Sequence, residues 1–240
     1  MSKELIVITG ASSGIGEATA KLFSDLGYPL LLVARRVDKL INLDLPNTIC
    51  EKVDVTNREA LQIAIKRGEQ QFGRVGALIN NAGVMLLGLM NEQDPNEWQK
   101  MFDVNVMGVM HGIHVVLPGM IARQGGTIIN ISSIAGRKTF PNHAAYCGSK
   151  FAVHAITENL REEVAAHNVR LITIAPGAVE TDLVSHTTSN AIKSGYAQWK
   201  QQMGSILTVE DVARAIVFAF QQPPGVCIRE IVLAATKQGA

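Results

Sequence analysis

The sequence predicts an α/β fold built on a seven-stranded, mainly parallel sheet with helices on both faces. Two observations carry that reading. Short apolar runs alternate with helical patterns along the whole length, and the runs are nearly continuous in hydrophobicity, as strands buried on both faces require. A third bears on function: polar and glycine-rich motifs fall just after four of the runs, and ligands bind open parallel sheets outside the carboxyl ends of the strands.

The first strand is expected at Leu5–Ile8, a four-residue apolar run too short for a signal-peptide core. Thr9-Gly10 follows, and a helix is expected from Ile15 to Leu26. The second strand covers Leu30–Val33. Beyond it Arg35–Thr48 is short and carries Pro46, so the helix there is expected to be stunted. Ile49–Val53 gives the third strand and Arg58–Phe72 the next helix. Ala77–Ile79 is the fourth strand, closed by Asn80-Asn81-Ala82-Gly83.

A long helix is expected over Asn96–Ala122. It carries Met101, Phe102, Val104, Val106, Val109, Met110 and Ile113, which leaves little polar surface all round. Such a helix needs cover beyond the sheet, from another subunit or from neighbouring helices of the same chain. Thr127–Ile131 is the fifth strand, ending in Ser132-Ser133, and Ala144–Ala166 the following helix. Val169–Ile174 is the sixth strand, followed by Pro176-Gly177. The stretch from Ala178 to Ile206 is irregular, with one helix near Ala191–Met203, and reads as a lid or substrate loop. A helix at Val209–Gln221 and a strand at Ile228–Leu233 complete the pattern, with residues 1–240 taken as one domain.

Composition narrows the partners. Twenty-two basic against 21 acidic residues give a net charge of +1 with no block of one sign, which argues against nucleic acid. Cys50, Cys147 and Cys227 show neither disulfide nor metal-ligand spacing, so no metal is expected and a reducing compartment fits. No stretch reads as a membrane span, and the expected location is cytoplasmic.

Gly10, Gly14 and Gly16 form G-x-x-x-G-x-G between a strand and a helix, where glycine lets the backbone approach a pyrophosphate at a helix N-terminus. Tyr146 and Lys150 lie one turn apart on one helix face. A free phenol has a pKa near ~10, and a fixed ammonium nearby lowers it by about 1–3 units, which would make Tyr146 a proton donor and acceptor. Ser133 stands thirteen residues upstream of Tyr146, and Asn105 interrupts an apolar helix. Left unpaired there, its amide would cost about 1–3 kcal/mol, so a partner is expected.

In order, T-G-A-S-S-G-I-G, D-V-T, N-N-A-G, N-V-x-G, I-S-S-I-A-G, Y-C-G-S-K and P-G-A-V-E-T resemble the short-chain dehydrogenase/reductase family from Gly10 to about Leu233. The resemblance implies a Rossmann-like, doubly wound sheet and a catalytic set of Asn105, Ser133, Tyr146 and Lys150. In it Tyr146 is the acid/base, Ser133 bonds the carbonyl oxygen, Lys150 binds the nicotinamide ribose and holds the phenolate form, and Asn105 supports a water-linked proton relay. It further implies cofactor contacts from the loop of Gly10, Ser12, Ser13, Gly14, Ile15 and Gly16, from Asp54-Val55 at the adenine, from Asn81, Ala82 and Gly83, and from Thr181 with Pro176-Gly177 near the carboxamide. Homotetramers are usual in the family. N-A-G-V-M-L-L-G, S-S-I-A-G-R and the stretch Ile228–Thr236 are similar to the branch holding clavulanic acid and 3-hydroxy acid (serine) dehydrogenases.

Cofactor choice follows from charge. Where an NAD site carries an acid at the end of the second strand, this chain has Ala34, Arg35 and Arg36, so NADP(H) is expected, with Arg35 as the main reader of the 2′-phosphate; dual specificity stays open. The expected activity is hydride transfer between nicotinamide and the carbonyl or alcohol carbon of a small, mostly apolar substrate. A non-catalytic NADP-binding sensor on the same fold is the alternative. Val84, Met85, Leu86, Ala135, Gly136, His143, Leu183 and His186 are the expected substrate walls, and Arg137 is either an exposed residue or a contact for one carboxylate.

Overall fold

Among the described residues seven strands, all parallel, lie in the order β3-β2-β1-β4-β5-β6-β7, so the expected mainly parallel, Rossmann-like doubly wound sheet shows no antiparallel member there. The structure, a computed structural model, describes residues 3–239; the ends of the 1–240 span lie outside the described residues. The strands are β1 (Leu5–Thr9), β2 (Leu30–Ala34), β3 (Thr48–Lys52), β4 (Val75–Asn80), β5 (Gly126–Ile131), β6 (Val169–Pro176) and β7 (Glu230–Leu233). Strand order reverses between β1 and β4, which opens a crevice at their carboxyl ends.

The helices are α1 (Gly14–Asp25), α2 (Val37–Ile41), α3 (Arg58–Phe72), α4 (Pro95–Phe102), α5 (Gly108–Ala122), α6 (Ala144–Val164), α7 (Asn190–Met203) and α8 (Val209–Phe220). Alternation along each strand splits the core. Leu5, Val7, Leu31 and Leu78 pack one face against α3, α5 and α6, while Ile6, Ile8, Leu30 and Ile79 pack the other against α1 and α8. The stunted helix after β2 is the five-residue α2, and the expected lid carries a short 3₁₀ turn at Asp182–His186 as well as α7.

The expected helix at Asn96–Ala122 differs in one respect. α4 and α5 are joined through a π-helical turn, Asp103–Met107, which widens the hydrogen-bonding ring by one residue and turns Asn105 inward. The continuous helix Pro95–Ala122 is also long and apolar enough, by length and composition alone, to cross a membrane, which the sequence reading missed. Here Val109, Ile113, Val116 and Met120 are buried against the sheet, the packing of a core helix. Its far side leaves Phe102, Met107 and Met110 about two-fifths exposed, beside an equally exposed Phe151 on α6.

Candidate active site

The glycine loop is shaped by what surrounds it. Gly10 and Gly14 adopt φ of +66° and +59°, and a Cβ on Gly10 would stand 2.7 Å from the Ala82 Cα. Gly16 lies behind the loop, where a Cβ would come within 2.5 Å of both the Asn81 amide and the Gly10 carbonyl, so it serves close packing. Asn81 spends its side-chain amide on the Thr9 and Gly10 carbonyls at 3.0 and 3.1 Å, and Thr9 Oγ1 accepts from the Asn81 and Ala82 backbone at 3.1 Å each. The loop is thereby clamped from β4.

Ser13 is the N-cap of α1 yet makes no capping bond. Its hydroxyl accepts from the Arg36 guanidinium at 2.9 Å, as does that of Ser12 at 3.2 Å. The first N–H groups of α1 therefore face the crevice uncapped, a setting suited to phosphate oxygens. Arg35 is exposed at the end of β2 and, among the described residues, makes no hydrogen bond or ion pair. Asp54 accepts from the Thr56 backbone and hydroxyl at 3.0 and 2.8 Å.

A cavity of about 890 Å³ runs from this loop to the lid. Its wall takes in Gly10, Ser12, Ser13, Gly14, Ile15, Arg35, Arg36, Asp54, Val55, Asn81, Ala82 and Gly83. It continues through Ser133, Tyr146, Lys150, Pro176, Gly177 and Thr181, so residues from every strand-end motif meet. Gly16 and Asn105 stand behind the wall. Of the expected substrate walls, Val84, Met85, Ala135, His143, Leu183 and His186 line it, whereas Leu86 and Gly136 do not. Arg137 also lies off the wall, ion-paired to Glu230, so no carboxylate contact is available from it.

Tyr146 and Lys150 sit in the first two turns of α6 and are both buried. Lys150 Nζ donates to the Ile131 carbonyl at 2.9 Å and lies 5.8 Å from the centre of the Tyr146 ring. Ser133 Oγ accepts from Ala135 N at 3.1 Å and donates to the Pro176 carbonyl at 3.4 Å. Burial pushes the Tyr146 phenol up from its ordinary value, with hydrogen bonding to Ser133 pulling the other way. The expected lowering by Lys150 is not what the geometry gives: burial sets the direction, and the ammonium is turned to the Ile131 carbonyl. The same burial brings Lys150 down to about 8.

Asn105 has the expected partners. Its Oδ1 accepts from Val84 N at 2.8 Å, and its Nδ2 donates to the Val84 carbonyl and to Ser149 Oγ at 2.9 and 3.0 Å. The π turn and β4's exit loop are thus stitched to α6. Sequence reasoning missed Ser149, and it missed the Asn80–Asn130–Thr157 chain, bonded at 2.9 Å each, that ties β4 and β5 to α6. It also missed Phe140, Tyr196, Trp199 and Gln238 on the wall; Tyr196 and Trp199 share a face of α7, a three-residue spacing that was visible. Their ring centres lie 5.3 Å apart with the planes tilted by 50°, and Tyr196 meets His143 at 6.5 Å.

Residues 4–192 match the family model for short chain dehydrogenase. The chain belongs to that family. An uncharacterized oxidoreductase of Staphylococcus saprophyticus is 38% identical to this short-chain dehydrogenase over 241 residues, covering 98% of this chain and 97% of that one. Among solved structures, the closed form of serine dehydrogenase complexed with NADP+ superposes with a TM-score of 0.92 at 29% identity, covering 98% of this chain and 96% of the other. An alcohol dehydrogenase from the archaeon Thermococcus sibiricus, complexed with 5-hydroxy-NADP, gives 0.86 at 25% identity, with coverage of 100% and 99%. Nicotinamide-dependent oxidation and reduction is the chemistry of this short-chain dehydrogenase, and the uncapped α1 and its glycine cradle fit such a cofactor.

Proposed function

We propose that the chain is an NADP(H)-dependent carbonyl reductase or alcohol dehydrogenase acting on a small, mostly apolar substrate. The observation that carries the reading is the meeting of phenol, ammonium and serine hydroxyl on the cavity that also receives the glycine loop. When bound, the nicotinamide supplies or takes the hydride. Ser133 donates to the substrate oxygen and Tyr146 delivers the proton that the developing alkoxide needs. Lys150 opposes the negative charge left on the phenol and reaches the ribose. Asn105 fixes the helix under the site and supports the relay that returns the proton. The glycine loop, Asp54-Val55, Asn81-Ala82-Gly83, Pro176-Gly177 and Thr181 hold the cofactor. A sensor that only bound nucleotide would have no use for an acid beside a hydride carrier.

The test is a panel of ketones, aldehydes and 3-hydroxy acids followed by NADPH absorbance, with Tyr146→Phe as control. Turnover of none of them by the wild type would sink the reading.

Preference for NADP(H) rests on an unengaged Arg35 and on the absence of an acid at the end of β2; the NADP-bound relatives are in keeping with it. Arg36 is a supporting cation that braces the serine pair. Arg35→Asp is expected to move the ratio of kcat/KM for NADPH over NADH by about 10- to 100-fold toward NADH, the worth of one charge-assisted contact. An unchanged ratio would remove the phosphate contact.

The exposed Phe102, Met107, Met110 and Phe151 form an apolar face on α4, the π turn, α5 and α6. We assign it to subunit contact in a homotetramer working in the cytoplasm, with residues 178–206 as the lid of a single catalytic domain. Light scattering should give a tetramer, and Met110→Glu should dissociate it; a wild-type monomer would end this assignment.

A further inference from the structure

The segment after β7 folds back onto the first residue of the lid. Gln238 is only 8% exposed, its Oε1 accepts from Ala178 N at 2.9 Å, and its own N–H donates to the Ala235 carbonyl at 2.8 Å. The amide lies flat on Gly177, where a Cβ would stand 2.4 Å from Oε1 and 3.0 Å from Nε2. Ala178 N–H settles which end of the amide is which, since the reversed amide would set donor against donor. Nε2 is then left buried, with no hydrogen-bond partner among the described residues, on a side chain that lines the cavity. An amide donor in that condition costs about 1–3 kcal/mol, and a native fold that keeps one calls for a partner that arrives with a ligand.

Position selects the partner. One residue before Gly177, the Pro176 carbonyl holds Ser133 Oγ at 3.4 Å, so Gln238 sits at the reacting end of the cavity rather than at the arginine end. Of the cations at this end, Lys150 is turned to the Ile131 carbonyl, and Arg137 lies off the wall, paired to Glu230. We propose that Gln238 determines specificity by donating Nε2–H to a second oxygen on the substrate. The favoured class is a carbonyl compound that carries a further oxo, ester or similar acceptor oxygen a few bonds from the reacting carbon. The inference rests on the carbonyl-reductase reading above and deepens it.

Two neutral isosteres test it by calorimetric titration into the NADP+-loaded protein: methyl 3-oxobutanoate and its hydrocarbon counterpart 4-methylhexan-2-one. The wild type is expected to bind the ester about 10- to 100-fold more tightly, the worth of one buried donor otherwise left unpaired. Gln238→Glu keeps the acceptor for Ala178 N but loses the donor, and should bring the two affinities together while NADP+ affinity stays unchanged. Gln238→Met, which cannot ionise, should do the same and guards against an effect of buried charge. Equal affinity of the wild type for both probes, or no binding of either, overturns the proposal. So does a loss of NADP+ affinity in the variants with the ester preference intact, since the amide would then serve the cofactor. A persistent preference with no NADPH-linked turnover would count instead against the reductase reading.

Discussion

Tyr146→Phe is expected to lower kcat/KM for carbonyl reduction by about 10²- to 10⁴-fold, the usual worth of a positioned general acid. Cofactor affinity should hold within about twofold, because only a transition-state interaction has been removed. The fold has little reason to respond. Ser133 keeps Ala135 N and the Pro176 carbonyl as partners, so losing the phenol oxygen strands no hydroxyl. Stopped-flow reduction beside nucleotide titration separates the two effects, and a variant that retained more than about a tenth of wild-type turnover would take the proton-transfer role from Tyr146. Burial holds the phenol protonated through neutral pH. Reduction therefore finds its donor in place, and oxidation, which needs the phenolate, should climb as pH rises.

Lys150→Met is expected to abolish most activity and yet to stabilise the protein at pH 7. The lysine's folded pKa, about 8, lies below its ordinary 10.5, so between those values the unfolded chain binds a proton that the folded chain does not. Stability of the wild type should therefore rise as pH climbs through that window, and the full desolvation penalty applies below about 8. That penalty is on the order of 3 kcal/mol at most, and losing the bond to the Ile131 carbonyl returns about 1 kcal/mol of it. Urea unfolding should show the Met variant ahead by about 2 kcal/mol at pH 7, with the gap closing near the top of the window. A less stable variant at pH 7 would mean that the ammonium is better solvated than its burial implies. In the wild type, kcat/KM for reduction should fall as pH passes about 8, where the free enzyme's ammonium is lost.

Most of the sheet was legible because strands buried on both faces leave unbroken apolar runs: Leu5–Ile8 and Leu30–Val33 are wholly buried. Boundaries slipped inside the sheet at β4, where Gly76 interrupts the apolar run after a start at Val75, and at β6, which runs on through Pro176; they also slipped at the two edges, where burial weakens. β3 is only partly buried and begins at Thr48, one residue before the expected start, and β7 at the opposite edge begins at Glu230 rather than Ile228. Tyr146 and Lys150 could be paired from a four-residue helical spacing, and the strand-end rule gathered Ser133 and the glycine loop around them. Other features left no local mark. The phenol's upward shift comes from residues packed over it, which a count of nearby charges does not include. Gln238 reaches Ala178 across 60 residues, and a lone glutamine past the last strand has no spacing to betray it. Arg36 was grouped with Arg35 as a phosphate reader, but only folding shows it turned back onto Ser12 and Ser13.

The wide turn at Asp103–Met107 has a bearing on how this chain can vary. Each residue of an α-helix advances the face by about 100°. The wide turn absorbs one residue beyond that winding, so excising one there would restore a regular helix and leave the downstream face in register. Val109, Ile113 and Val116 would stay against the sheet, but the amide now bound to Val84 would turn away. A single-codon deletion at this point would therefore spare the packing of the long helix and still unpin the floor of the site, since Val84 would lose the side chain that holds it.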